Sequence, residues 1–155
     1  MLRFCGLLLA LVMSSLHAAE SPVEVAGAMT VNSAQAKRLH ELGAVFVDVR
    51  PTRQWSWGHV WGAVHLDLAG NFAEMGNQAW PRQVPLVVYC DSEVCPHSAE
   101  AARRAVGWGF QQVYYFRSGY FAWQLLDFPQ GKGSAGEMLA FNPGAPAAAA
   151  GVTRD

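Results

Sequence analysis

The chain has 155 residues, of which 52% are hydrophobic and 15% charged. That length and balance describe one domain with a real core and exclude a disordered chain. A formal net charge of −1 at pH 7 gives no basis for binding nucleic acid or an anionic membrane surface.

Residues 1–19, MLRFCGLLLALVMSSLHAA, place Arg3 ahead of an apolar run from Leu7 to Met13 and end on Ala18 and Ala19. This order predicts a secretory signal peptide, and the run is shorter than the roughly 20 apolar residues that a membrane span needs. The expected product is exported, periplasmic in a Gram-negative cell and secreted otherwise, without stable membrane association after cleavage. The alternative is an uncleaved anchor. His17 is not small at the third position from a cut after Ala19, which leaves the cut position open. Of the three cysteines, Cys5 leaves with this segment and Cys90 and Cys95 remain. An oxidising compartment allows a disulfide between them, but so short a spacing staples only a small loop, which favours chemistry over scaffolding.

The domain is expected over 20–130, with its folded part starting near Val23. AGAMTVNSAQAKRLHELGAVFVDVR reads as a short strand, a helix and a buried strand. Asn32 or Ser33 caps the helix, Ala34, Leu39 and Leu42 form its inner face, and Gly43 ends it. PTRQWSWGHVWGAVHLDLAGNFAEMGNQAW is irregular, with a short helix starting at Pro51. PLVVYC then gives a second buried strand, Ser98 to Val106 a helix, QVYYF a third strand and Gly119 to Asp127 a last helix. Apolar strands alternating with helices predict an α/β fold whose central parallel sheet is flanked by helices. From 131 to 155 the chain fills with Gly, Ala and Pro, and a flexible tail is expected there.

Ligands of open α/β sheets collect beyond the carboxyl ends of the strands, and Cys90 ends one. The loop after it leads into a helix, whose unpaired N–H groups lower the pKa of a nearby thiol. Cys90 is therefore read as a nucleophile; on strand position alone it would be a small core residue. Cys95 is either a second reactive thiol or a loop cysteine of no consequence. Asp48 and Arg50 lie at the same end of the sheet and are read as an ion pair fixing the mouth, ahead of a substrate contact. His59 is expected to order a turn. Cys90, Cys95 and His97 are soft ligands, but a closed zinc site needs four with paired spacing, so no metal and no cofactor is expected. Trp55, Trp57 and Trp61, if grouped near the mouth, favour an organic thiol or a protein partner.

VFVDVRP (45–51), GHVWGAVHLD (58–67), LVVYC (86–90) and VYYFRSGYFAW (113–123) together resemble the single-domain rhodaneses of the sulfurtransferase superfamily in order and spacing. The resemblance implies that Cys90 takes sulfur from a donor as a persulfide and passes it to a second nucleophile. The partners implied are a small sulfur donor and a thiol acceptor, including a protein thiol. Asp91, Ser92, Glu93, Val94, His97 and Ser98 would form the active loop. Many rhodaneses carry an arginine five positions after the nucleophile, where this chain has Cys95, and the loop is two residues longer if Ser98 matches the serine that follows that arginine. Asp91 and Glu93 oppose a dianion, so thiosulfate is a doubtful donor, and the missing arginine argues against phosphatase relatives of this fold. Four intervening residues allow Cys90 and Cys95 to reach the Cα separation of about 4.4–6.8 Å that a disulfide requires. Cys95 would then resolve a Cys90 persulfide or sulfenate. Two other classes compete: a thiol-disulfide redox protein cycling this pair, and a non-catalytic rhodanese module that binds a partner through its loop and aromatic surface.

Overall fold

A computed structural model describes residues 20–77 and 79–133. The segment 1–19, read as a signal peptide, and the tail beyond Gly133 lie outside the described residues. The elements in chain order are β1 (Met29–Thr30), α1 (Ser33–Glu41), β2 (Val45–Asp48), α2 (Thr52–Trp57), β3 (His59–Val60), β4 (Val64–His65), β5 (Leu86–Tyr89), α3 (His97–Gly107), β6 (Val113–Phe116), α4 (Gly119–Leu125) and β7 (Gln130–Gly131). A 3-10 turn, Phe72–Gly76, precedes β5.

Five strands form one sheet in the order β1-β6-β5-β2-β4, with every pair parallel. The expected α/β architecture with a central parallel sheet flanked by helices is present. Its two faces follow strand alternation. Val47, Val49, Leu86, Val88 and Cys90 point to the side holding Ala99, Ala102 and Ala105 of α3. Phe46, Val87 and Tyr89 point to the side holding Ala36 of α1 and Tyr120 and Trp123 of α4. The alanines let α3 approach the sheet closely, and the large aromatics fill the other layer. Trp123 is fully buried beside Phe46 and Phe128, with ring centroids 5.5 and 5.0 Å away, and its Nε1 donates to the Pro129 carbonyl at 2.8 Å.

The α1 cap is as expected: Asn32 accepts from the Gln35 N–H, and the Gln35 side chain accepts from the Asn32 N–H, both at 2.9 Å. Its inner face is not. Ala34 is exposed and Leu42, beyond the helix end, is 67% exposed. The stripe that packs is Ala36, Leu39 and His40, with the His40 ring 5.4 Å from Phe46 and 5.3 Å from Trp123. An imidazole does the packing that an aliphatic count assigned to leucine.

β3 and β7 pair antiparallel in a separate two-stranded ribbon, His59 opposite Gly131 and Val60 opposite Gln130. Regular structure thus runs to Gly131, one residue into the segment expected to be tail. Among the described residues no helix is long and apolar enough to cross a membrane.

Candidate active site

The chain leaves β2 toward β4 on one side and leaves β5 toward β6 on the other. The crevice between the ends of these two strands is a topological switch point, the usual binding place in open α/β sheets. Register puts Asp48, Tyr89 and Phe116 level across β2, β5 and β6. Cys90 is one step past that level.

Under the crevice lies a buried polar frame. Asp48 is 0% and Arg50 2% exposed. Arg50 Nε donates to Asp48 Oδ1 at 2.9 Å, its Nη2 to Oδ2 at 2.5 Å and to the Gly58 carbonyl at 2.7 Å. The guanidinium also lies 4.3 Å from the centroid of the Tyr120 ring. Burial works against the Arg50 charge, but the hydrogen-bonded Asp48 carboxylate overrides it and raises the pKa. The Tyr89 hydroxyl, pushed well up by burial and then by Asp48, stays protonated and accepts from the Val60 N–H at 3.1 Å. His65 is buried and donates from Nε2 to the Arg50 carbonyl at 2.7 Å. The ion pair expected of Asp48 and Arg50 is present, and it supports the mouth from below.

Above the frame is the loop 90–97. Cys90 and Cys95 form a disulfide, with Cα atoms 6.2 Å apart. The Cys95 N–H bonds the Ser92 carbonyl at 3.0 Å, the turn that brings the second sulfur back. Asp91 turns down to Arg50, with its Oδ1 3.7 Å from Nη1. Glu93 turns aside to Arg117 at 3.2 Å and accepts from the Ser118 hydroxyl, also at 3.2 Å. Val94 is exposed. A ring nitrogen of His97 and both sulfurs lie within 4.8 Å of one another, and among the described residues the buried His97 Nδ1 has no hydrogen-bond partner. Ser98 is fully buried, and its hydroxyl is likewise unpaired. Among the described residues no side chain caps α3, which leaves its first N–H groups, directly after the loop, without a side-chain partner. The three donors would suit a soft metal only after reduction, because a disulfide sulfur carries no thiolate charge.

Several supporting residues were not singled out from the sequence. Gly119 has φ +62°, and a Cβ there would stand 2.6 Å from the Cys90 carbonyl oxygen, so the tight packing of α4 on the loop requires glycine. The N–H groups of Tyr120 and Phe121 bond the Cys90 and Asp91 carbonyls, both at 2.9 Å. Ser21 donates to the Glu93 carbonyl twice, from N at 2.8 Å and Oγ at 2.6 Å. Arg117 ties that segment down through the Ser21 carbonyl at 3.1 Å and Glu20 at 2.7 Å. Arg117 and Gly119 follow directly on the third apolar strand and lie inside the motif 113–123, which marked the segment but not their part in the loop. Of the tryptophans, Trp55 is core, stacked 3.5 Å from His59, whereas Trp57 and Trp61 are 65% and 56% exposed. The three tryptophans therefore do not form one patch, and the condition for reading them as a partner surface is not met. His59 Nδ1 donates to the Trp55 carbonyl at 3.1 Å and orders the turn.

Comparison with known proteins agrees with this geometry. The model of the rhodanese-like domain matches residues 32–126. A thiosulfate sulfurtransferase GlpE of Pseudomonas syringae pv. syringae is 38% identical over 99 residues, covering 62% of this chain and 86% of the relative. The GlpE of Pseudomonas savastanoi pv. phaseolicola is 39% identical over 93 residues, covering 58% and 81%. The polysulfide-sulfur transferase homodimer of Wolinella succinogenes shares the fold with a TM-score of 0.59 at 18% identity, over 72% of this chain and 84% of that one. A rhodanese-like domain from Anabaena sp. does so with a TM-score of 0.58 at 19% identity, over 81% and 92%. A parallel sheet with its switch-point crevice, a cysteine ending the central strand and a matched family model over most of the domain lead to one conclusion: this chain belongs to the rhodanese-like sulfurtransferase family.

Proposed function

We propose that the protein is an exported sulfurtransferase in which Cys90 accepts sulfane sulfur as a persulfide and hands it to a thiol; where no acceptor takes it, Cys95 attacks Cys90 Sγ, closes the disulfide and expels the outer sulfur as sulfide. The observation that carries this reading is the Cys90–Cys95 bond at the switch-point crevice. A thiolate at Cys90 would face the open N–H groups of α3, which favour an anion. Thiolate attack on the donor forms the Cys90–sulfur bond as the donor's bond to its outer sulfur breaks, and a second thiolate removes that sulfur. Export rests on the sequence of residues 1–19.

The donor is an uncharged or organic persulfide in preference to thiosulfate, the substrate for which the GlpE relatives are named. Asp91 and Glu93 are each paired, which reduces the repulsion expected of them, but the same pairing occupies Arg50 and Arg117. A dianion then finds neither guanidinium free to clamp it. After reduction, a gain of about 32 Da on the Cys90 peptide is expected with a thiol persulfide, and less of it with thiosulfate or 3-mercaptopyruvate. Cys95→Ser should hold the persulfide longer and lose the disulfide product. A protein that never gains sulfur on Cys90 overturns the reading. The disulfide itself favours a second reading, a thiol-disulfide redox protein, which predicts reversible closure of the pair without stable sulfur transfer.

A further inference from the structure

The Cys90–Cys95–His97 cluster contains one polar atom with no evident use. Each sulfur has the other as partner, but His97 Nδ1 is buried and unpaired. Leaving such a group unsatisfied is costly unless it has a use. The acids of the loop and of the first turn of α3 are committed elsewhere: Asp91 to Arg50, Glu93 to Arg117, and Glu100 to Arg103 and Arg104. Among the described residues, a ring nitrogen of His97 lies inside 4.8 Å of both Sγ atoms.

We infer that His97 is the proton acceptor and donor of the Cys90–Cys95 pair, taking the proton of the Cys95 thiol and returning it to the group that leaves Cys90. In the reduced loop the imidazole deprotonates Cys95. The Cys95 thiolate attacks Sγ of the Cys90 persulfide, the sulfur–sulfur bond between the two residues forms, and the bond to the outer sulfur breaks with its electron pair. The imidazolium protonates that sulfur, which departs as hydrosulfide. The outer sulfur has gained two electrons and the two thiols have lost two. An external dithiol then reduces the protein disulfide and becomes a disulfide itself; His97 takes the proton of the attacking thiol and passes it to the first protein thiolate released. The hydrosulfide step rests on the sulfur-transfer reading above; the proton role needs only the thiol pair.

The test is site-resolved alkylation of the reduced, exported protein by iodoacetamide across pH, read by mass spectrometry after cleavage at Glu93 so that Cys90 and Cys95 lie on separate peptides. Cys95 in the wild type should alkylate with a midpoint at least about one pH unit below the free-cysteine value near 8.5. His97→Gln should move that midpoint back toward 8.5 and slow alkylation of Cys95 at pH 7 about tenfold. His97→Asn, smaller and equally unable to take a proton, repeats the measurement should the first variant pack poorly, and circular dichroism reports the fold of both. A Cys95 profile that neither variant moves overturns the inference. If Cys90 never gains sulfur while the profile still depends on His97, the sulfur-transfer reading falls and the proton role stands. If Cys90 gains sulfur and the profile is indifferent to His97, the proton role alone falls.

Discussion

Two strand ends meet at the crevice, and they are built on opposite plans. The end of β2 anchors a closed polar frame: Asp48, Arg50 just beyond it, Tyr89 reaching in from β5 and His65 from β4 are buried, and each is hydrogen-bonded. The end of β5 is an open loop in which Asp91, Glu93 and Val94 are about half exposed, while a histidine nitrogen and a serine hydroxyl are buried without partners. The frame contains four ionisable side chains and leaves little chemistry free, because satisfied groups are locked. The loop contains the sulfurs and the unsatisfied groups. Placing reactive groups on a short segment above a fully bonded base keeps their geometry without tying up their valences.

This contrast can be broken most strongly at the frame. Arg50→Leu leaves the Asp48 carboxylate buried without its cation, and a loss of about 3–5 kcal/mol is expected, read as a fall in the urea midpoint. A loss below about 1 kcal/mol would mean that the frame does not hold the mouth. The loop should matter far less to stability. Its cysteines are separated by 5 positions, so reducing the disulfide should cost no more than about 2 kcal/mol and leave far-ultraviolet circular dichroism unchanged. A larger loss would make the bond structural. The smallest effect is the pH dependence of His59, which stacks on Trp55 beside the frame. Burial lowers its pKa below 6.5. The unfolded chain therefore takes up the proton first on acidification, and stability declines from about pH 6.5 down to the native pKa and then levels off. The slope should be well under about 1 kcal/mol in total because the ring is partly exposed, and His59→Asn should remove it in urea titrations at several pH values.

The sheet was legible because its strands carry their own signal. VFVD and LVVY are apolar without interruption, as strands buried on both faces must be. Cys90 was legible for the same reason, since it closes such a run. The strands β3 and β4 were not, being two residues each and defined by partners elsewhere: β3 by β7, some 70 positions on, and β4 by β2. α1 misled because His40, not Leu42, fills the space between Phe46 and Trp123. The fate of the loop acids was hidden as well. Glu93 is turned by Arg117, and nothing local to either residue records that meeting. Charge read along the chain placed two acids at the thiol, whereas the fold directs both to arginines.

The contact of Ser21 with Glu93 has a practical side. Two hydrogen bonds from Ser21 end on the carbonyl of a loop residue two positions before Cys95, and Glu20 is held by Arg117 beside it. Ser21 is thus part of the loop's support, although it lies well ahead of the first strand. Trimming the protein to a start beyond Ser21 would remove both hydrogen bonds and loosen the segment that sets the spacing of the two sulfurs.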